Sequence, residues 1–172
     1  MDFMLDIDIK KPALTINYQD KILLTGSCFT EHIGNALQEL KFPVLQNPNG
    51  ILFDPVSVCK SLVSYVHNKK YAEADLFFLN EIWNSWQHHS RFSNISREEG
   101  LYLINESQQK AHDFLKQADW MIITLGSSFS YRLTKQYFEE FSEAPPSAGL
   151  EESVANCHRA PAQWFHKHLL ET

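Results

Sequence analysis

Two short apolar runs in this chain end alike, on a glycine followed by a serine. Ile22-Leu23-Leu24-Thr25 leads into Gly26-Ser27-Cys28-Phe29, and Met121-Ile122-Ile123-Thr124-Leu125 leads into Gly126-Ser127-Ser128. A hydroxyl at the point where a buried strand hands over to a helix is placed for nucleophilic attack on a carbonyl. Ligands of open α/β sheets bind beyond the carboxyl ends of the strands, and the free N–H groups of a helix start stabilise an anion. The plainer use of the same residues is structural, with Gly26 making the turn and Ser27 capping the helix. A serine hydroxyl also needs a base within hydrogen-bond reach. Of the 8 histidines, His88, His89 and His158 lie in turn-rich segments and are the candidates for that work or for substrate contact. His32, His67 and His112 fall on helical stretches as surface or packing residues. Cys28 is a rival nucleophile, because a helix start favours the thiolate. A residue following such a nucleophile commonly points into the sheet, where a small thiol is at home, so Ser27 is preferred. Cys157, His158, His88 and His89 lack the spacing of a zinc site, and neither metal nor cofactor is expected.

The elements that position these groups follow from hydrophobic period. Residues 22–26 read as a strand buried on both faces, and a helical stripe of Phe29, Ile33, Ala36, Leu37 and Leu40 follows. Phe42-Pro43-Val44-Leu45 predicts a second short strand, closed by the turn-rich Gln46-Asn47-Pro48-Asn49-Gly50. Asp54-Pro55 predicts a helix start with Val58, Leu62, Val63 and Val66 inward. Leu76–Leu79 and Ile82–Trp86 predict a hairpin or paired edge segments. A helix over 107–118, with Ala111, Phe114 and Leu115 inward, leads to the strand beginning at Trp120. That strand is expected to be a central neighbour of the first, its tip opening on the same sheet edge. Residues 137–153, acidic and broken by Pro145, Pro146 and Gly149, predict an exposed loop, and Pro161 predicts the start of a last helix. Trp83 and Trp86 could line a pocket for an acyl or sugar group, although core packing is the commoner use of tryptophan.

A length of 172 residues suits one domain, taken as 1–172. Hydrophobic residues at 44% and charged residues at 21% are ordinary globular usage. With 15 basic against 21 acidic residues, net charge −6, and no basic cluster, nucleic acid is not an expected partner. The amino terminus carries acids where a secretory signal needs positive charge, and no run is long enough to span a membrane, so a cytoplasmic protein without a membrane partner is expected. Three cysteines at wide spacings fit free thiols.

Taken together, Gly26-Ser27-Cys28-Phe29, Asn47-Pro48-Asn49-Gly50-Ile51, His88-His89-Ser90, Thr124-Leu125-Gly126-Ser127 and Asn156-Cys157-His158-Arg159-Ala160-Pro161 resemble the GSCFA family, a branch of the SGNH (GDSL-like) hydrolases. The resemblance implies an α/β fold of three layers, α/β/α, with a mostly parallel, flavodoxin-like sheet, and ester hydrolysis through a serine. It matches Ser27 to the nucleophile, Gly50 to a glycine whose N–H helps form an oxyanion hole together with the N–H of Ser27, and Gly126 to the glycine opening the third block. Asn49, Ser127, His88 and His89 go with these as substrate or oxyanion contacts. Where many SGNH enzymes carry Gly-x-Asn-Asp, this chain has Gly126-Ser127-Ser128-Phe129. Asn156 or His158 is then the substitute donor. The late Asp-x-x-His block is absent too, since Gln163 precedes His166 and Ala155 precedes His158. His158 is the base and acid within the chain, or else the dyad lies beyond Thr172 and the sheet is incomplete at its carboxyl end. An incomplete sheet would expose an edge and favour self-association. The expected substrate is a small-molecule ester or an acylated glycan. The alternative is a non-catalytic ligand-binding module of the same fold.

Overall fold

A computed structural model describes residues 13–129. The predicted loop over 137–153, the helix opened by Pro161, and Asn156, Cys157 and His158 lie outside the described residues. The element order is β1 (Ile22–Gly26), α1 (Cys28–Glu39), β2 (Val44–Gln46), α2 (Pro55–His67), β3 (Leu76–Leu79), β4 (Ile82–Ser85), α3 (Arg97–Leu115) and β5 (Trp120–Thr124), with single 3-10 turns at Glu73–Asp75 and Ser90–Phe92.

β1 is central in a parallel sheet of order β2-β1-β5, pairing Ile22 with both Val44 and Trp120. Every residue of β1 is buried, as an apolar run without alternation requires of a strand covered on both faces. The chain steps outward from β1 to β2 and later returns past β1 to β5. With right-handed crossovers, those opposite steps put α1 on one face and α2 with α3 on the other, which is the three-layer α/β/α order. Ile22, Leu23 and Leu24 of β1, whose side chains alternate between the two faces of the sheet, and Val58, Tyr65, Ile104 and Ala111 of the packed α2–α3 pair are buried and form the core. β3 and β4 form a separate antiparallel hairpin in which Phe78 faces Trp83. Trp86 is not core: it stacks on Phe77 at 3.9 Å and is 43% exposed.

Several local expectations shift. The second strand occupies Val44–Gln46 rather than 42–45. On α2, Val58 is buried but Val63 and Val66 face outward, while Ser61, Ser64 and Tyr65 are covered. The serines can face inward because their hydroxyls bond to the carbonyls of Val58 and Ser61, and Ser64 also meets Gln108 of α3. On α1 the covered residues are Thr30 and Gly34, with Phe29 and Leu40 exposed. The long helix α3 begins at Arg97, well before residue 107, and ends at Leu115.

Candidate active site at the strand tips

The carboxyl ends of β1, β2 and β5 converge. Gly26 leaves β1 with φ of +138°, where a Cβ would collide with the Thr124 carbonyl, so glycine is needed for β1 and β5 to stay paired to their tips. The turn after β2 is tied to this point by the side-chain oxygen of Asn47, which accepts the Gly26 N–H at 2.8 Å. The chain after that turn then threads between the tips. Leu52 N–H donates to the Gly26 carbonyl at 2.8 Å, and the Phe53 carbonyl accepts from Gly126 and Ser127 N–H at 2.9 and 3.0 Å.

Ser27 sits in this junction, 6% exposed. Its Oγ lies 2.9 Å from Thr124 Oγ1, and Thr124 Oγ1 is also bonded to the hydroxyl of Thr30. The N–H of Ser27 is shared between the carbonyl and the hydroxyl of Thr124, both at 3.1 Å. Gly126 adjoins Ser27 closely: a Cβ there would stand 3.2 Å from Ser27 Cβ and 2.8 Å from Phe53 Cδ1. Ser27, Thr124 and Gly126 are therefore one cluster, and Ser127 joins it through the Phe53 carbonyl while its Oγ accepts Phe129 N–H at 3.0 Å. Ser27 is the N-cap of α1 by position but makes no side-chain capping bond; its hydroxyl is turned toward Thr124 instead.

The two amide hydrogens expected to hold an oxyanion are both used within the protein. Ser27 N–H is spent on Thr124, and Gly50 N–H closes its own turn on the Asn47 carbonyl at 2.8 Å. Among the described residues, no acceptor is bonded to the N–H of Cys28 or Phe29, the first two residues of α1, as the geometry of a helix start dictates. Cys28 is exposed rather than turned into the sheet, because Ser27 takes the inward position.

The remaining candidates divide. Asn49 is 1% exposed and knits the turn to its surroundings: its N–H donates to the Tyr65 hydroxyl at 3.2 Å, its amide to the Gln87 carbonyl at 3.3 Å, and its carbonyl accepts His89 N–H at 2.8 Å. His89 packs against Gly50, and its Nδ1 accepts Arg91 N–H at 3.2 Å to start the Ser90–Phe92 turn. Arg91 completes that side, bonding to the Asn47 carbonyl and to Glu31 of α1 at 3.2 Å. His88 is enclosed between the rings of Tyr71 and Phe92 at 4.7 and 5.4 Å, with Nδ1 2.8 Å from Ser85 Oγ. Loss of solvent pushes its pKa down to about 4, with Lys69 adding to the fall and Asp75 opposing it. A buried neutral imidazole in an aromatic cage packs the hairpin onto the domain.

Thr124 was not singled out by the sequence. The signal was there, since Thr25-Gly26-Ser27 and Thr124-Leu125-Gly126-Ser127 both put a threonine at a strand tip, and parallel pairing of Gly26 with Thr124 brings the second one to the serine. A cleft of about 270 Å³ lined by Arg91, Phe92, Leu103, Glu106, Ser107 and Lys110 opens on the α3 side of the β2 turn, where Ser107 bonds to the Pro48 carbonyl at 2.7 Å. Ser27 and Gly126 do not line it. Among the described residues, no group of three His, Cys, Asp or Glu side chains could hold a metal ion, and no helix is long and apolar enough to cross a membrane.

In comparison with known proteins, a family model described as the GSCFA family matches residues 21–172. No curated protein and no solved structure matches the chain.

Proposed function

This chain belongs to the GSCFA family, and from that premise we propose that it is a serine hydrolase whose nucleophile is the hydroxyl of Ser27, acting on a small-molecule ester or an acylated glycan. The observation that carries this reading is the junction of three parallel strand tips around one serine, with Gly126 beside it and Thr124 Oγ1 at 2.9 Å. Attack forms a bond from Ser27 Oγ to the ester carbonyl carbon, and the Ser27 proton passes to a general base, which then protonates the departing alcohol. We assign the base to His158 and a further oxyanion contact to Asn156, both outside the described residues. The helix-start N–H groups of Cys28 and Phe29 take the oxyanion role first expected of Ser27 and Gly50, a contribution of roughly 3 kcal/mol per donor.

The test is hydrolysis of short-chain p-nitrophenyl esters by the full chain, alongside Ser27→Ala and His158→Ala. Loss of turnover in both variants, with folding intact, supports the assignment. Turnover retained by Ser27→Ala removes it. A second reading, a ligand-binding module without catalysis, is favoured by the enclosure of Ser27 and the internal use of its N–H. It predicts no turnover in any of the three proteins.

A further inference from the structure

The bonding capacity of Thr124 fixes more than the position of Ser27. A threonine hydroxyl has one proton to give and two lone pairs to accept with. Thr124 Oγ1 meets three groups, the Ser27 N–H at 3.1 Å, Ser27 Oγ at 2.9 Å and Thr30 Oγ1. The N–H can only donate, so it takes one lone pair. Of the two hydroxyl partners, Thr124 must then accept from one and donate to the other. Two directions exist: Thr30 to Thr124 to Ser27, or the reverse.

Burial decides between them. Thr30 is fully covered, and Thr124 is the hydrogen-bond partner of its hydroxyl among the described residues. In the reverse direction Thr124 would donate to Thr30, and the Thr30 proton would be buried without an acceptor, which is costly. In the forward direction the proton left over is that of Ser27, which keeps 6% of its surface at the rim of the junction where Thr30 keeps none. We infer that Thr124 is a positioning residue which, supplied by Thr30, donates its hydrogen bond to Ser27 Oγ, so that the serine cannot park its own proton on Thr124 and must present it to the site. No proton is transferred along this chain of hydroxyls. It sets the rotamer of Ser27 and the direction of its O–H.

Two measurements on the full chain test this, and only the second depends on the proposed hydrolase reading. By proton NMR, a hydroxyl proton protected from solvent exchange is expected on Thr30, absent in Thr30→Val and in Thr124→Val. A protected hydroxyl proton on Ser27 in its place overturns the inference. By labelling with a fluorophosphonate, in which the Ser27 Oγ–phosphorus bond forms and fluoride leaves, Thr124→Val is expected to slow modification of Ser27 by about tenfold or more and Thr30→Val by roughly threefold. Thr124→Ser, which restores the hydroxyl, is expected to recover the rate. Equal rates in wild type and Thr124→Val overturn it, as does failure of Thr124→Ser to recover. If wild type shows the Thr30 proton but no labelling, the hydroxyl chain stands and the nucleophile assignment falls.

Discussion

The side-chain oxygen of Asn47 accepts the backbone N–H of Gly26 at 2.8 Å, joining the turn after β2 to the turn after β1 beneath the candidate site. Asn47 is completely buried and holds a φ of +43°, a left-handed conformation that asparagine adopts more readily than most residues. Without its amide, the Gly26 N–H is left buried without a partner. Asn47→Ala is expected to cost roughly 1–3 kcal/mol, read as a lower urea midpoint with an unchanged slope. An unchanged midpoint would mean that this tie is dispensable.

His88 gives the fold a pH dependence of known sign. Its folded pKa, about 4, lies below the ordinary 6.5 of a free imidazole, so between those values the unfolded chain binds a proton that the folded one refuses. Stability is therefore fully present above about pH 6.5 and falls as the pH drops toward about 4, by an amount on the order of 3 kcal/mol at most. Urea titrations across that range should show the fall in wild type and a flatter profile in His88→Gln. Parallel profiles would refute the assignment to His88.

Cys28 and Cys59 should differ in reactivity. Cys28 is exposed at the first position of α1, whereas Cys59 is partly covered on α2, and burial together with Asp54 pushes its thiol pKa up. Iodoacetamide at neutral pH is expected to modify Cys28 faster by about tenfold, as followed by peptide mass spectrometry. Faster modification of Cys59 would contradict the orientation of the Ser27-Cys28 turn.

Much of this fold was readable where one physical signal was strong. The apolar runs at β1 and β5 identified neighbouring parallel strands, and Asp54-Pro55 marked the start of α2, where Asp54 accepts the Ser57 N–H at 3.0 Å. The start of α3 is hidden because Leu101, Tyr102, Leu103 and Ile104 are consecutive rather than spaced at a helical period, and Gly100, a weak helix former, precedes them. The sequence Ser96-Arg97-Glu98-Glu99 nonetheless carries a capping pattern, and Ser96 Oγ does accept the Glu99 N–H at 3.2 Å. The inward serines of α2 were also out of reach, because hydrophobicity alone cannot tell that a hydroxyl will satisfy itself on its own helix. At the site, residue types named Ser27, Gly126 and the β2 turn, and the structure gathers them. What sequence could not give was the direction of the amides: Ser27 and Gly50 N–H groups are spent on Thr124 and Asn47, and only three-dimensional pairing decides that.

The central claim is that the hydroxyl of Ser27 is a reactive nucleophile. The most direct measurement is to expose the full chain to a fluorophosphonate and map the adduct by mass spectrometry, with Ser27→Ala as control. The account predicts a single adduct on Ser27, lost in the variant. An unmodified Ser27, or an adduct only on Ser127 or Ser128, would contradict it.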